Sequence, residues 1–249
     1  DLNPVSSTTV LLVRNVATHS GIEVFLIQRQ YTMSFGGAYA FPGGLICEED
    51  YSPNFHHLSC HLADQVPYDI TKLNKFVLPY FIGCIRECFE ETGVLLATKI
   101  NHATPEYVDH DQMPGVLAYQ ENLNQKNTTL SIICLNEGIL PAINELTYLG
   151  NWVTPECAKR RYSTRFFIAP MPVGQNICAH RSEILNSLWI KPESALDKHF
   201  NGAFKMYTPT IKSLQAICGY KSIEELINSK STILSKKIKT FESQCLNLS

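Results

Sequence analysis

The chain has 249 residues, 45% of them apolar, and a formal net charge of −2. That length fits one large domain or a domain with an appendage, and the apolar content argues against wholesale disorder. The near-neutral balance argues against nucleic-acid binding through a broad basic face, although a local basic pocket stays open, and no apolar run reaches the length of a membrane span.

Two β-branched apolar runs come first, Thr8 to Val13 and Ile22 to Gln28, with the H-S-G turn between them. They are expected to be a pair of strands. Gly36-Gly37 breaks the pattern, and A-Y-A-F-P-G-G (38–44) reads as a short strand ending in a Pro-Gly-Gly loop. Residues 51 to about 77 are irregular. Within them His57, Cys60 and His61 invite a zinc reading, but no clear fourth ligand lies nearby, and a loop with a short helix is the simpler expectation. After Pro79, Ile82, Ile85 and Phe89 form one apolar helical stripe, and Gly93 is its expected stop.

The stretch 101–127 reads as a further helix with polar linkers. Its D-H-D at 109–111 lacks the rest of a calcium loop and is read as loop, as is the sequon Asn127-Thr128-Thr129. Three more strands are expected over Leu130–Leu135, Arg165–Ala169 and Leu185–Ile190. From Thr208 onward, short helices separated by Gly219 and 229–231 suggest a helical extension over 207–249, whose late Lys cluster reads as a solvated face. The mixed order of elements implies an α/β or α+β fold. Nine cysteines at irregular spacing, several in apolar runs, read as reduced thiols of an intracellular protein. No signal peptide is visible, although the chain begins at Asp1 without Met.

The chemistry concentrates in C-I-R-E-C-F-E-E-T-G-V (84–94). On a helix, Glu87 stands i,i+3 to Glu90 and i,i+4 to Glu91, so like charges are neighbours, and Arg86 offsets part of the repulsion from i,i+4 to Glu90. A solvated acidic face is one reading. The other is a site for a hard divalent cation, whose preferred ligands are carboxylate oxygens.

R-E-C-F-E-E-T-G-V (86–94) resembles the second half of the Nudix box, and F-P-G-G (41–44) resembles the loop that opens it. Two departures stand out. The position six after Gly44 is Asp50 rather than Glu, and 35 residues separate Asp50 from Arg86 where the family pattern has seven. An insertion at about 51–78 therefore splits the box. This resembles the Nudix hydrolases related to the peroxisomal coenzyme A diphosphatase. N-W-V-T-P (151–155), R-R-Y-S-T-R-F-F (160–167) and H-R-S-E-I-L-N-S-L-W-I-K-P-E-S-A-L (180–196) are similar to further blocks of that group, the last as a strand and loop.

The resemblance implies an α/β/α Nudix sandwich with a mixed central sheet over 1–206, interrupted by the insertion and followed by the helical extension packed on it. It implies Mg²⁺ or Mn²⁺ held by Glu87, Glu90, Glu91 and the backbone at Gly44. It implies water attack on a diphosphate, with Glu87 as a candidate base. Arg86 is expected to orient Glu90, and Asp50 to cap or anchor the box helix. Candidate substrate contacts are Arg160, Arg161, Arg165, Arg29, Trp152, Tyr162 and Glu183, each set against an ordinary structural role, whereas Phe166 and Trp189 read as core. Coenzyme A or an acyl thioester is the expected substrate. ADP-ribose, NADH, FAD or capped RNA stay open, as does a non-catalytic nucleotide-binding module. Family members are often dimers, so a homodimer is open. The terminal L-N-L-S is not a peroxisomal tripeptide, which would favour the cytoplasm over the peroxisome if it is the natural end.

Overall fold

The computed structural model describes residues 3–18, 20–55, 77–100, 106–111, 113, 115–158, 160–180 and 182–230. Strand β1 (Val5–Asn15) turns through Gly21 into antiparallel β2 (Ile22–Arg29), with Val13 opposite Val24. Both strands are continuously apolar because both faces of the sheet are covered. Val10 and Leu12 of β1, with Phe25 and Ile27 of β2, enter one buried cluster. Leu11, Val13, Val24 and Leu26 enter the other.

β1 and β2 pair at 13–15 and 22–24 and then diverge. The chain from 39 to 45 fills the gap. β3 (Tyr39–Ala40) pairs with β2, and β4 (Gly43–Leu45) pairs with β1, Gly43 opposite Thr9 and Gly44 opposite Thr8. Gly43 has φ of 154°, and a side chain there would collide with the β1 backbone at Thr8 and Thr9. The expected Pro-Gly-Gly loop is thus threaded into the sheet itself.

The long helix α1 (Leu78–Thr92) has Pro79 in its first turn and ends at Gly93 in the left-handed region, whose N–H donates to the Phe89 carbonyl. Ile82, Ile85 and Phe89 are fully buried, as the stripe requires. Each contributes roughly 1.5–3 kcal/mol of apolar burial, which fixes the helix on the sheet and places its acidic face beside β4. Beyond it come β5 (Ala97–Lys99), α2 (Val116–Asn124), α3 (Leu130–Glu137), β6 (Ile139–Pro141), β7 (Thr147–Val153), β8 (Tyr162–Pro170) and β9 (Ile184–Ile190). β8 runs parallel to β1, with Val5 opposite Tyr162, and antiparallel to β7, while β9 pairs with β2. The sheet is therefore mixed. The short pair β5–β6 stands apart from it. On the face away from α1 lie α4 (Pro192–Phe200) and α5 (Thr208–Ile217), and residues 223–230 are also helical. Leu214, Ile217 and Leu226 are fully buried in the cluster that holds Leu11 and Val24.

This is the expected α/β/α layering, with local corrections. Leu130–Leu135 is helix, not strand. The Thr129 hydroxyl accepts from the Ile132 N–H, Gly138 closes the helix at φ of 62°, and Leu130, Ile133 and Cys134 are buried while Ile132 and Leu135 are exposed. That is helical spacing. The segment P-E-S-A-L (192–196), read as loop, begins α4. Strands β5, β6 and β7 were not anticipated. At 109–111 the chain is loop, with the Asp109 carboxylate accepting from the Asp111 N–H. Seven cysteines among the described residues are free, and no described helix is long and apolar enough to cross a membrane. His57, Cys60, His61 and the late Lys cluster lie outside the described residues.

Candidate active site

The site is built where β4 meets the acidic face of α1. Gly44 lies directly under Glu87, and a Cβ at Gly44 would overlap the Glu87 carboxylate. One residue earlier, the Gly43 N–H donates to Glu91 Oε2 at 2.8 Å. Arg29, at the end of β2, closes the other side. Its Nη2 donates to the Gly43 carbonyl at 2.7 Å and stands 3.5 Å from Glu91 Oε1. Both halves of the motif, far apart in sequence, are thus locked backbone to carboxylate.

Arg86 is the hub. Its Nε and Nη2 donate to the two oxygens of Asp50 at 2.9 and 3.0 Å. Nη1 donates to Glu87 Oε1 at 2.9 Å and Glu90 Oε2 at 2.8 Å, and Nη2 also reaches the Leu45 carbonyl at 2.8 Å. This uses the full fork of guanidinium donors. Asp50 is buried in the 3-10 turn Glu48–Tyr51 and accepts from the Cys47 N–H. Gly83 makes room for it, since a Cβ there would press on Asp50 and Ile46. Asp50 therefore anchors the helix, and Arg86 orients Glu87 as well as Glu90.

The C-terminal end of α1 is clamped from α2. Gln120 Nε2 donates to the carbonyls of Glu90 and Cys178, both at 3.0 Å, and Asn124 Nδ2 donates to the Glu90 carbonyl at 3.1 Å. The Cys178 and His180 N–H groups donate to the Thr92 and Glu91 carbonyls. The loop so attached carries Glu183 close enough to repel Glu91.

Negative charge is in excess. Burial raises Glu91 to about 8, with Arg29 and the Gly43 N–H opposing and Glu87 and Glu183 adding. Burial likewise raises Glu90 to about 7 against the pull of Arg86, with Glu87 and Glu49 adding. Glu87 is raised by burial, which Arg86 partly offsets. For Arg86 itself, burial works against the charge, but Asp50, Glu87 and Glu90 outweigh it and raise the pKa.

Among the described residues no three acidic, His or Cys side chains converge into a ready-formed metal cage. Glu87 and Glu90 are turned to Arg86, and Glu91 to Gly43 and Arg29. The donor set nevertheless fits a hard divalent cation. The donors are all carboxylate and carbonyl oxygens, and the buried charge they carry is incompletely neutralised.

The sequence-derived substrate contacts are dispersed. Arg29 and Glu183 join the acidic site. Arg165 is buried on the α1 face of the sheet, with Nη1 donating to Asn151 Oδ1 at 2.5 Å and Ser163 Oγ at 2.7 Å, and its guanidinium lies 4.9 Å from the Tyr80 ring centroid. Arg161 Nε donates to the Thr154 carbonyl, and Arg160 is exposed. Trp152 lines a cavity of about 200 Å³ with Phe166, Pro209, Lys212 and Lys230 on the opposite face. Phe166 is core, and Trp189 packs on Phe25 with Arg14 over its ring. Sequence reasoning missed Gly83, whose signal was a glycine inside an apolar helical stripe. It also missed Gln120 and Asn124, for which the sequence carries no motif.

The family described as the NUDT19 Nudix domain matches residues 70–217. The acyl-coenzyme A diphosphatase NUDT19 of Xenopus laevis is 26% identical over 238 residues, covering 83% of this chain and 62% of that protein. Its Homo sapiens counterpart is 22% identical over 236 residues, covering 83% and 63%. The chain thus spans less than two thirds of the length of these relatives. A crystal structure of a Nudix hydrolase from Alicyclobacillus acidocaldarius superposes with a TM-score of 0.71 at 23% identity, covering 91% of this chain and 96% of that one, which shows the shared fold.

Proposed function

Because the chain belongs to the family described as the NUDT19 Nudix domain, we propose that it is a divalent-cation-dependent hydrolase of nucleoside diphosphates linked to a second group, with coenzyme A or an acyl thioester as substrate. The observation that carries this reading is the joining of Gly43-Gly44 to Glu87 and Glu91 across a split motif, pinned by the Asp50–Arg86 ion pair. The names of the relatives support the choice of coenzyme A. The same reading takes 1–206 as the hydrolase domain and the chain from 207 as an extension, whose described part, 207–230, packs on it; the rest of the expected extension lies outside the described residues.

In this account Glu87, Glu90, Glu91 and the Gly44 carbonyl hold Mg²⁺ or Mn²⁺. When bound, the cation offsets the charge of the diphosphate and favours attack by water. Arg86 fixes two of the carboxylates and leaves its donors committed to them. Glu87 takes the proton of the attacking water, whose oxygen bonds to one phosphorus as the bridging P–O bond breaks. The products are 3′,5′-ADP and phosphopantetheine or its acyl form. Glu183, which adds to the charge around Glu91, is a further candidate for this proton traffic. Of the candidate cations, Arg29 borders the acidic site; Arg160, Arg161 and Arg165 stay candidates for phosphate groups farther along the substrate, and Trp152 and Tyr162 the aromatic candidates.

The test is a substrate panel with Mg²⁺ or Mn²⁺, comparing coenzyme A, its dephospho form, ADP-ribose, NADH, FAD and capped RNA. Coenzyme A should be cleaved fastest, with the dephospho form slower. Equal rates on those two would remove recognition of the 3′-phosphate. Full turnover by Glu87→Gln with metal bound would remove Glu87 as base.

A further inference from the structure

The loop that follows Arg29 carries an exposed aromatic group that the hydrolytic site does not use. The loop closes tightly on Arg29, whose N–H donates to the Ala38 carbonyl while its carbonyl accepts from the Gly37 N–H. At its tip Phe35 adopts φ of 62°, in the left-handed region that favours glycine, and its side chain remains half exposed. A phenylalanine held at a glycine-favouring position and kept in solvent does not serve the core.

Its ring centroid lies 4.9 Å from that of Tyr207, edge-on, and 6.0 Å from that of Tyr162. Tyr207 is exposed and Tyr162 half-buried. Lys205 completes the group, with Nζ 5.5 Å from the Tyr207 ring centroid and 3.3 Å from the Gly36 carbonyl. These side chains lie on the face of the sheet away from α1, at the end from which β4 emerges. Tyr162 pairs with Val5, three residues along β1 from Thr8, which pairs with Gly44. At about 3.3 Å per residue and about 4.8 Å between neighbouring strands this is roughly 14 Å from Gly44 across β1 to Tyr162, so the rings sit at the end of the sheet beside the motif, on its other face.

Building on the nucleotide reading above, we propose that Phe35, Tyr162 and Tyr207 form the seat of the adenine base, with Lys205 placed for the phosphate on its ribose. Exposed aromatic faces stack on nucleobases. The cation favours the anionic nucleotide end of the substrate over an aliphatic acyl chain, which would gain nothing from it.

The test is calorimetric binding of 3′,5′-ADP and of 5′-AMP to the full chain. Phe35→Ala and Tyr207→Ala should each weaken both ligands by roughly five- to one-hundred-fold. Lys205→Ala should weaken 3′,5′-ADP and spare 5′-AMP. Phe35→Gly relieves the left-handed backbone, so it should keep or raise Tm while binding falls, which separates loss of the seat from loss of the fold. Wild-type affinity in both aromatic variants, or a wild type that binds neither nucleotide, overturns the seat. So does a change confined to the discrimination between coenzyme A and its acyl thioester, which would assign the rings to the acyl chain. A wild type that binds as expected but cleaves no diphosphate removes the hydrolase reading and leaves the seat. Cleavage of coenzyme A with KM unchanged in the variants removes the seat and leaves the hydrolase.

Discussion

Asp50 and Arg86 stand 36 positions apart and share a two-pronged, fully buried ion pair, Nε to Oδ1 at 2.9 Å and Nη2 to Oδ2 at 3.0 Å. The remaining arm of the same guanidinium holds Glu87 and Glu90. A side chain before the insertion thereby sets the positions of carboxylates after it. Asp50→Asn leaves Arg86 buried beside an incompletely matched partner, and removing one member of such a pair costs about 3–5 kcal/mol. Thermal unfolding should fall accordingly, and turnover should drop about 10- to 100-fold, the usual loss when a group orienting a ligand is removed. An Asn variant with wild-type Tm and kcat would show that the pair positions nothing.

Gly44 tests the contact between the motif halves more locally. A methyl at this position overlaps the Glu87 carboxylate, so Gly44→Ala must push Glu87 aside. A displacement of about 1 Å at a reacting group costs on the order of 100-fold in rate. Gly44→Ala should therefore lose activity while retaining its circular dichroism spectrum. Gly83→Ala presses on Asp50 and Ile46 instead, and should lower Tm.

The raised carboxyl groups make a signed prediction about pH. Glu90 and Glu91 have folded values of about 7 and about 8, above the ordinary 4.5. Their neutral forms favour the fold, so their contribution is complete below about pH 4.5 and is lost as pH rises through 7 and 8. In chelator, the part of Tm due to this site should decline from about pH 5 to 8 and level off above. Mn²⁺ should restore it, by an increment that grows over the same range because the cation displaces protons. Glu91→Gln should flatten the decline. A metal increment that shrinks with rising pH would contradict the assignment.

Gln120 acts through the backbone. Its amide joins the Glu90 carbonyl to the Cys178 carbonyl, tying α1 to the loop that carries Glu183. Gln120→Ala removes a donor from two part-buried carbonyls, of which that of Glu90 keeps the Asn124 amide, a loss of about 1 kcal/mol. It should lower kcat about tenfold with KM nearly unchanged, and shift the pH profile as Glu183 moves relative to Glu91. A fall in stability with no change in either kinetic readout would make Gln120 structural alone.

The sequence was legible where one short period decides the structure. The stripe Ile82, Ile85, Phe89 fixed both the helix and the direction of its acids, and the paired apolar runs of β1 and β2 fixed the first two strands. L-S-I-I-C-L misled because a short continuous apolar run fits a buried strand and a buried helix equally well. The deciding signals were Thr129 as cap and Gly138 as stop. Contacts made between distant segments left no trace in any local pattern. Gln120 meets Glu90 and Cys178 through its amide alone, and Phe35 meets Tyr207 across much of the chain. The spacing after Gly44 singled out Asp50 as a cap or anchor, but its partner Arg86, on the far side of the insertion, has no local signal and appears only in the fold.

The central claim is tested most directly by incubating the full chain with coenzyme A and Mg²⁺ or Mn²⁺ and identifying the products by mass. The account predicts 3′,5′-ADP and phosphopantetheine in equal amounts, their release stopped by chelator and sharply reduced in Glu90→Gln. Intact coenzyme A after incubation with either metal, or cleavage that Glu90→Gln leaves unchanged, would contradict it.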